Sequence, residues 1–376
     1  MILAGCGTRR PDMDCGPSNP EVQRMRIETT AVLMLLMASP VAAQETAVSA
    51  SDTAYTAGEY RVFTGAGEPA SLDDVVRDMA HHQVVFIGEA HDDPTGHMLE
   101  AELLARALAE HRASSDETAG RSVALSLEFF QADVQPVLDE YLGGLISERA
   151  FRTDSRPWPR YETDYRPLIE FSKANEISVI AANAPRRYTS RVTANGRESL
   201  ADLSATARAH LAPLPYGEPS EAYRDQWIHV ITGVMEQEGM KCGRPLPEPA
   251  EGEEPVHATA PAGAHDNMGN QLHSQTLWDA TMAHRISRHL AAVPDALVLH
   301  MVGSFHVARG TGTPEHLAAY SPGASYMIVV LRPVEDVDSF EPAPSGEWGD
   351  FVIQTDGSRT LEQIECGAYL AELDGR

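Results

Sequence analysis

The fold class follows from one short segment, Val84-Val-Phe-Ile-Gly-Glu-Ala-His91. Its four apolar residues have the length of a buried strand, and a polar turn follows them at once. Asp93-Pro94 then supplies a helix cap with proline in the first turn, and four leucines between Leu99 and Leu108 form one apolar face. The segment therefore predicts a buried strand, a polar loop and an amphipathic helix, in that order.

The same strand-and-helix unit recurs along the chain. Further apolar strands are predicted at residues 123–127, 178–182, 296–302 and 326–331, with helical patterns between them. Alternating helices and apolar strands specify the α/β class, with a mainly parallel central sheet and helices on both faces. The long stretch between the third and fourth core strands is predicted to be a largely helical insertion.

Polar residues follow the first four of these strands directly. Glu89 and His91 follow the first strand, Glu128 the second, Asn183 the third and His306 the fourth. In open parallel sheets, ligands bind outside the carboxyl ends of the strands. We therefore expect these five side chains to line one polar pocket.

Two of the strands end in the same pattern, G-x-x-H, at 88–91 and 303–306. Glycine is expected to let the chain turn tightly, while the histidine points into the crevice. A single histidine of this kind is more often a turn cap or a structural residue. Two copies at strand ends, with two glutamates nearby, favour a functional site.

This set of side chains is compatible with two kinds of chemistry. Two imidazoles and a carboxylate, here His91, His306 and Glu128, are a usual donor set for a divalent metal such as zinc with an open position for water. Without a metal, a histidine could activate water while a glutamate of raised pKa exchanges the proton. The residues alone leave both readings open.

Aromatic and basic residues are concentrated at 158–167. The segments Trp158-Pro-Arg-Tyr161 and Asp164-Tyr-Arg-Pro167 place rings beside two arginines, a combination that suits a flat, acidic ligand. A packing loop with solvated arginines is the alternative. On a later helix, Asp279 is expected to orient a histidine or an arginine of the site, as supporting carboxylates do.

The N-terminal region has the pattern of a targeting segment. Residues 25–43 combine a basic start, a short apolar run and small residues before a cleavage point, as a secretory signal peptide does. We predict that residues 1–24 are an over-extended start and that 44–70 are a loose N-terminal segment. Leu3-Ala-Gly-Cys6 has the letters of a lipobox without its basic and apolar leader, so lipid anchoring at Cys6 is not expected.

The remaining sequence is predicted to form one domain, 71–335, and a C-terminal extension, 336–376, that contains an edge strand at 350–354. An acidic segment rich in proline and glycine, 242–264, is expected to be a mobile loop within the helical insertion. The apolar runs are too short for a transmembrane span, which needs roughly 20 apolar residues.

Composition limits the classes of partner. The formal net charge of −26 repels nucleic acid and anionic lipid. Loss of the leader would leave Cys242 and Cys366 in an oxidising compartment, where a single disulfide is allowed. The sequence lacks the C-x-x-C-H motif, which excludes covalent attachment of c-type haem.

Six motifs, in the right order, resemble those of the ChaN-like haem-binding proteins, a family related to the erythromycin esterases and the Tiki and TraB proteins. They lie at 85–93 (VFIGEAHDD), 127–130 (LEFF), 158–167, 182–185 (ANAP), 275–283 and 303–306, and the likeness spans roughly residues 72–332. The resemblance implies a periplasmic or outer-membrane-associated protein that binds haem for iron acquisition, with haem able to sit at a homodimer interface.

The resemblance also implies roles for individual residues. In a haem protein, Tyr161, Tyr165, His91 and His306 are the candidate iron ligands, and no motif chooses between them. Arg166 is the candidate partner for the acidic groups of haem.

The related hydrolases imply a different use of the same residues. Tiki-like proteins use paired G-x-x-H motifs and a glutamate as a metallohydrolase site, which here corresponds to His91, His306 and Glu128. Esterase-like members use the first-motif pair, here Glu89 and His91, and Arg166 is a further catalytic candidate. Whether the chain is an enzyme stays open at this point.

Overall fold

An eight-stranded sheet forms the centre of the fold. The computed structural model describes residues 60–112, 120–237, 240–241, 244–245, 268–344 and 346–360. The strands of these residues are β1 (Tyr60–Thr64), β2 (Pro69–Ala70), β3 (Val84–Glu89), β4 (Val123–Gln131), β5 (Ser178–Asn183), β6 (Met240–Lys241), β7 (Arg244–Pro245), β8 (Leu297–Gly303), β9 (Tyr326–Val334) and β10 (Phe351–Asp356).

Helices connect and cover the strands. They are α1 (Leu72–Met79), α2 (Pro94–Arg112), α3 (Gln135–Leu142), α4 (Glu148–Ser155), α5 (Arg166–Ala174), α6 (Arg186–Asn195), α7 (Ala205–Arg208), α8 (Glu221–Gln237), α9 (Met268–Ala292) and α10 (Thr313–Tyr320). A π-helical turn, Tyr161–Tyr165, leads into α5, and a 3-10 turn, Ser304–His306, follows β8. Among the described helices, none has both the length and the apolar character that crossing a membrane requires.

The strand order is β2-β1-β10-β9-β3-β8-β4-β5. The six strands from β10 to β5 are parallel, and β1 near one edge pairs antiparallel with both β10 and β2. The fold is therefore α/β with a mainly parallel sheet, as predicted.

Both faces of the sheet are buried. Along β3, Val85 and Ile87 pack into one apolar cluster with α1 and α2, whereas Val84 and Phe86 pack into another with α9 and α10. All four side chains are fully buried. Burial on both faces explains why β3 is a continuous apolar run rather than an alternating one.

Chain order and spatial order differ at the centre of the sheet. The late strand β8 lies between β3 and β4, so that Glu89 is level with Gly303 on one side of β8 and Leu127 with Met301 on the other. The turns after β3 and β8 and the end of β4 are therefore direct neighbours.

Two sequence predictions about the edges of the sheet are wrong. Residues 44–70 were expected to be loose, yet 60–64 and 69–70 are strands and Val62 and Phe63 are buried. The segment 350–354 was expected to be an edge strand, yet β10 lies between β9 and β1. Both errors have one cause, because β1 pairs with a strand nearly the whole domain away in sequence, and local patterns carry no trace of that partner.

The helical insertion between β5 and β8 is present. Its longest elements are α8 and α9, whereas the pattern near 198–212 gives a 3-10 turn and the short α7. The predicted leader, 1–43, lies outside the described residues, and so does the acidic loop at 242–264 apart from β7. The predicted domain limits, 71–335 and 336–376, stay predictions.

Candidate functional site

The structure brings four predicted site residues together at the carboxyl ends of β3, β8 and β4. Glu89 is the last residue of β3 and His91 lies in the turn after it, His306 lies in the turn after β8, and Glu128 belongs to β4. His306 Nε2 lies 3.7 Å from Glu128 Oε1. The other oxygen of Glu128, Oε2, and the ring of His91 both border the space in front of Cα of Gly303. Glu128 therefore stands between the two histidines.

The first histidine forms a tight pair with a carboxylate. His91 Nδ1 lies 2.5 Å from Glu89 Oε1, and the side chain of Glu89 is fully buried while that of His91 is 49% exposed. Burial would raise the pKa of Glu89, but hydrogen bonds with His91 and His97 lower it to about 2. Burial would lower the pKa of His91, yet the hydrogen bond with Glu89 and the charges of Glu128 and Glu89 raise it. Glu89 is thus an anion at neutral pH, and its charge favours the protonated form of His91.

The second histidine forms a similar pair. His306 Nδ1 lies 2.9 Å from Asp279 Oδ1, and the hydroxyl of Thr313 donates to the same oxygen over 2.8 Å. Asp279, on α9, is thus the supporting carboxylate that its helical position suggested. Burial disfavours the charged imidazole, but the charges of Asp279 and Glu128 raise the pKa of His306 to about 9.

Glu128 lies inside β4 rather than after it, because the strand bulges. Between Leu127 and Gln131 the pairing register with β5 shifts, and Glu128, Phe129 and Phe130 are all buried there. A bulge re-aims side chains next to a site. Glu128 Oε2 accepts the N–H of Gly303 over 2.8 Å, which fixes the carboxylate between the strands.

The glycines of the two G-x-x-H motifs serve a purpose other than the predicted tight turn. Neither has a positive φ. A Cβ atom on Gly303 would lie 2.8 Å from His91 Cε1, and one on Gly88 would lie 2.9 Å from Cα of Ser304. Glycine is thus required because the two turns approach each other too closely for any side chain.

An aromatic wall borders the His91 side of the site. The edge of Trp158 meets the His91 ring with centroids 5.1 Å apart, Trp158 also contacts Phe129, and Phe129 stacks on Tyr165 at 3.8 Å. Tyr165 and Tyr161 are only 2% and 3% exposed and belong to the apolar core. Of the aromatic residues predicted to meet a flat ligand, Trp158 is the one beside an exposed site histidine.

The two predicted arginines have different neighbours. Arg166 forms an ion pair with Glu148 at 2.6 Å on the outer side of α5. Arg160 instead pairs with Asp164 at 2.8 Å and donates to the backbone carbonyl of His91. Arg160 is thus the arginine that touches the predicted site residues, although the sequence pattern alone gave no reason to prefer it.

The sequence also gave little sign of two buried residues behind the site. His97 and Glu100, on α2, are fully buried next to Glu89. In the described part of the chain, Glu89, His97 and Glu100 are the trio of potential metal ligands whose atoms lie within 4.8 Å of one another. His91, Glu128 and His306 face one another but do not meet that spacing.

Asn183 and a large cavity lie apart from these contacts. Asn183 ends β5 as predicted and is buried, and its Oδ1 has no hydrogen-bond partner. A cavity of about 750 Å³ opens at the other end of β5, lined partly by Lys173, Arg285 and Arg288. None of the predicted site residues lines this cavity, so its size does not connect it with the paired histidines.

Paired carboxylate–histidine turns at the carboxyl ends of a parallel sheet define the class: an α/β protein with a polar site for a ligand or a reaction. Comparison with known protein families narrows this class to one family. The chain belongs to the family described as haem-binding uptake, Tiki superfamily, ChaN, whose profile matches residues 75–317.

Individual relatives are distant. A solved structure that describes cofacial haem binding to ChaN of Campylobacter jejuni shares the fold, with a TM-score of 0.57, 14% identity, and coverage of 79% of this chain and 97% of that one. An erythromycin esterase matches with a TM-score of 0.36 and 12% identity over 79% of this chain and 83% of that one. Protein RETICULATA-RELATED 5, chloroplastic, of Arabidopsis thaliana is 25% identical over 282 residues, which are 71% of this chain and 34% of that protein. The chain thus spans about a third of its plant relative.

Proposed function

We propose that this chain is an exported haem-binding protein that serves haem or iron uptake. Membership of the haem-binding family carries the proposal, since the matched residues, 75–317, contain the whole candidate site. The signal-peptide pattern at 25–43 supports export to the periplasm. Haem at a homodimer interface remains part of the proposal.

The chemistry of the residues fits haem best at His91. Haem iron is commonly held by a histidine whose second ring nitrogen is hydrogen-bonded to an acceptor. His91 has such an acceptor in Glu89 at 2.5 Å, its side chain is 49% exposed, and Trp158 offers an apolar edge beside it. His306, Tyr161 and Tyr165, by comparison, are 5%, 3% and 2% exposed.

A haemin titration tests the proposal. Full-length chain at micromolar concentration is expected to give a saturable Soret shift. His91→Ala is expected to weaken haemin binding by at least about tenfold, the smallest effect usual for loss of a group that merely orients a metal ligand, because His91 is the proposed ligand itself. Because histidines bind haemin nonspecifically, the matched control is His81→Ala, an exposed histidine beyond the opposite ends of the strands. The absence of a saturable shift in the wild type would exclude haem binding for this chain.

Export is tested in a separate experiment. The mature protein is expected in the periplasm, with its N-terminus near Gln44.

A hydrolase is the second candidate, and one observation favours it. Two carboxylate–imidazole pairs, Glu89–His91 and Asp279–His306, face a third carboxylate, Glu128. Glu128 could accept a proton from water as the water oxygen attacks an ester carbonyl, while a protonated His91 gives a proton to the leaving oxygen. That division suits the raised pKa of His91.

A substrate panel tests the hydrolase. Esters, lactones and peptides are offered to the wild type, to His91→Ala and to Glu128→Ala, with and without added zinc. Loss of at least about 100-fold in rate is expected for each variant if either group transfers a proton. Hydrolysis that persists unchanged in both variants would exclude this candidate, and a haemin result does not bear on it.

A further inference from the structure

We propose that Glu89, His97 and Glu100 form a buried binding site for one divalent transition-metal ion of the Zn²⁺ type, behind the paired histidines. The proposal goes beyond haem binding, and it concerns residues other than the two G-x-x-H histidines. It rests on spacing, on the direction of one imidazole and on an unpartnered buried oxygen.

The spacing of the ligand atoms fits a shell around one ion. His97 Nδ1 lies 3.0 Å from Glu89 Oε2 and 3.3 Å from Glu100 Oε2. Nitrogen and oxygen atoms bound to one zinc at about 2.1 Å lie roughly 3–3.5 Å apart. His97 and Glu100, three residues apart on α2, present their side chains on one helix face, and Glu89 at the end of β3 closes the set.

The orientation of His97 calls for a cation at Nδ1. His97 Nε2 lies 3.1 Å from the backbone carbonyl oxygen of His91, which can only accept a hydrogen bond. Nε2 therefore holds the ring proton, and in the neutral imidazole the lone pair of Nδ1 faces two carboxylates. Three electron-rich atoms meet there, and either a metal ion or a further proton must lie between them. A backbone acceptor that fixes the tautomer is the usual support of a metal-binding histidine.

Glu89 is compensated at Oε1 by His91, whereas the ion-pair contact of Glu100 is with His97. The side chains of Glu89 and Glu100 are fully buried, and that of His97 is 3% exposed. Glu100 Oε1 has no hydrogen-bond partner, and Glu89 Oε2 has the ring nitrogen of His97 beside it at 3.0 Å. The nearby Arg160 pairs with Asp164 and with the carbonyl of His91 rather than with the trio. Buried charges are normally paired or bound to metal, and one divalent ion between these atoms would satisfy His97 Nδ1 and both carboxylates at once.

An ion at this place would act on the exposed site through Glu89. Oε2 of Glu89 faces the trio while its Oε1 holds His91 Nδ1 at 2.5 Å. Binding of an ion would thus fix the carboxylate that orients His91. Because all three ligands are buried, the ion would have a structural rather than a catalytic role.

Zinc content and zinc-dependent stability test the site, and haemin is left out throughout. The full-length wild type, treated with chelator under mild denaturation and refolded with Zn²⁺, is expected to retain one zinc per chain and to unfold at a higher temperature than the metal-free protein. Glu100→Gln, which keeps the shape of the side chain, is expected to weaken zinc binding by at least about 100-fold, because it removes a direct ligand. Glu102→Gln on the same helix is the control and should bind zinc like the wild type.

If a proton rather than a metal ion lies between His97 Nδ1 and the two carboxylates, the opposite results are expected. The wild type would then retain no more zinc than Glu100→Gln, and zinc would not change its unfolding temperature. Glu100→Gln would be more stable than the metal-free wild type, since it removes one of two adjacent buried carboxylates. This result would overturn the proposal. Should Glu100→Gln fold poorly, zinc content and zinc-dependent stability of the wild type alone still decide between the two outcomes.

Discussion

Glu128→Ala is expected to lower the free energy of unfolding at pH 7 by about 3–5 kcal/mol, the usual effect of removing one member of a buried charge set. Glu128 is 1% exposed and its charge supports the charged forms of both His91 and His306. Its loss would remove the carboxylate that supports the protonated forms of both histidines and would leave the N–H of Gly303 without its acceptor. Urea unfolding followed by circular dichroism measures the change.

Two further variants test whether the loss of stability comes from the buried charge of Glu128. Glu128→Gln keeps an acceptor for the N–H of Gly303 but removes the charge, so it should be less destabilising than Glu128→Ala. Glu140→Ala removes an exposed carboxylate on α3 and should change stability by no more than about 0.5 kcal/mol. If Glu128→Ala were as stable as Glu140→Ala, the charge arrangement described for the site would be wrong.

The stability of the fold is expected to fall between pH 6.5 and pH 9 because of His306. Its folded-state pKa of about 9 lies above the ordinary value of 6.5. The stabilisation from its charged form is therefore complete below pH 6.5 and is lost as the pH rises through 9, with a total on the order of 3 kcal/mol. Urea unfolding at several pH values measures this loss.

Asp279→Asn separates His306 from the other titrating groups. The variant removes the carboxylate 2.9 Å from His306 Nδ1, so the pKa of His306 should fall and the loss of stability between pH 6.5 and 9 should flatten. In the metal-free protein, hydrogen bonds with Glu100 and Glu89 raise the pKa of His97 to about 11 against the effect of burial, so that His97 contributes equally to the pH profiles of the wild type and the variant. A wild type and a variant with the same pH profile would contradict the assignment.

The same charges affect ligand binding. A metal or haem iron bound through an imidazole nitrogen must displace the proton, so its affinity depends on pH. The neighbouring carboxylates raise the pKa of both histidines, that of His306 to about 9. Binding of a metal through His306 is therefore expected to strengthen as the pH rises toward 9.

Much of the fold was predictable from local sequence. The apolar runs that became β3, β8 and β9 were recognisable because strands buried on both faces need apolar residues at every position. The strands at 60–64 and 351–356 were misjudged, since their pairing depends on each other across the domain rather than on their own composition. The bulge that buries Glu128 within β4 could not be predicted either, because a bulge interrupts the two-residue alternation by which strands are recognised in a sequence.

The α/β class, the family and the polar residues at the strand ends could all be read from the amino-acid sequence, because they depend on local hydrophobic pattern and short motifs. Which of these residues meet depends on the packed fold. The insertion of β8 between β3 and β4 brings two turns more than 200 residues apart in sequence side by side and places Glu128 between His91 and His306. The packed chain also leaves His91 half exposed, places Asp279 and Glu128 beside the buried His306, whose pKa their charges raise, and buries His97 between two carboxylates.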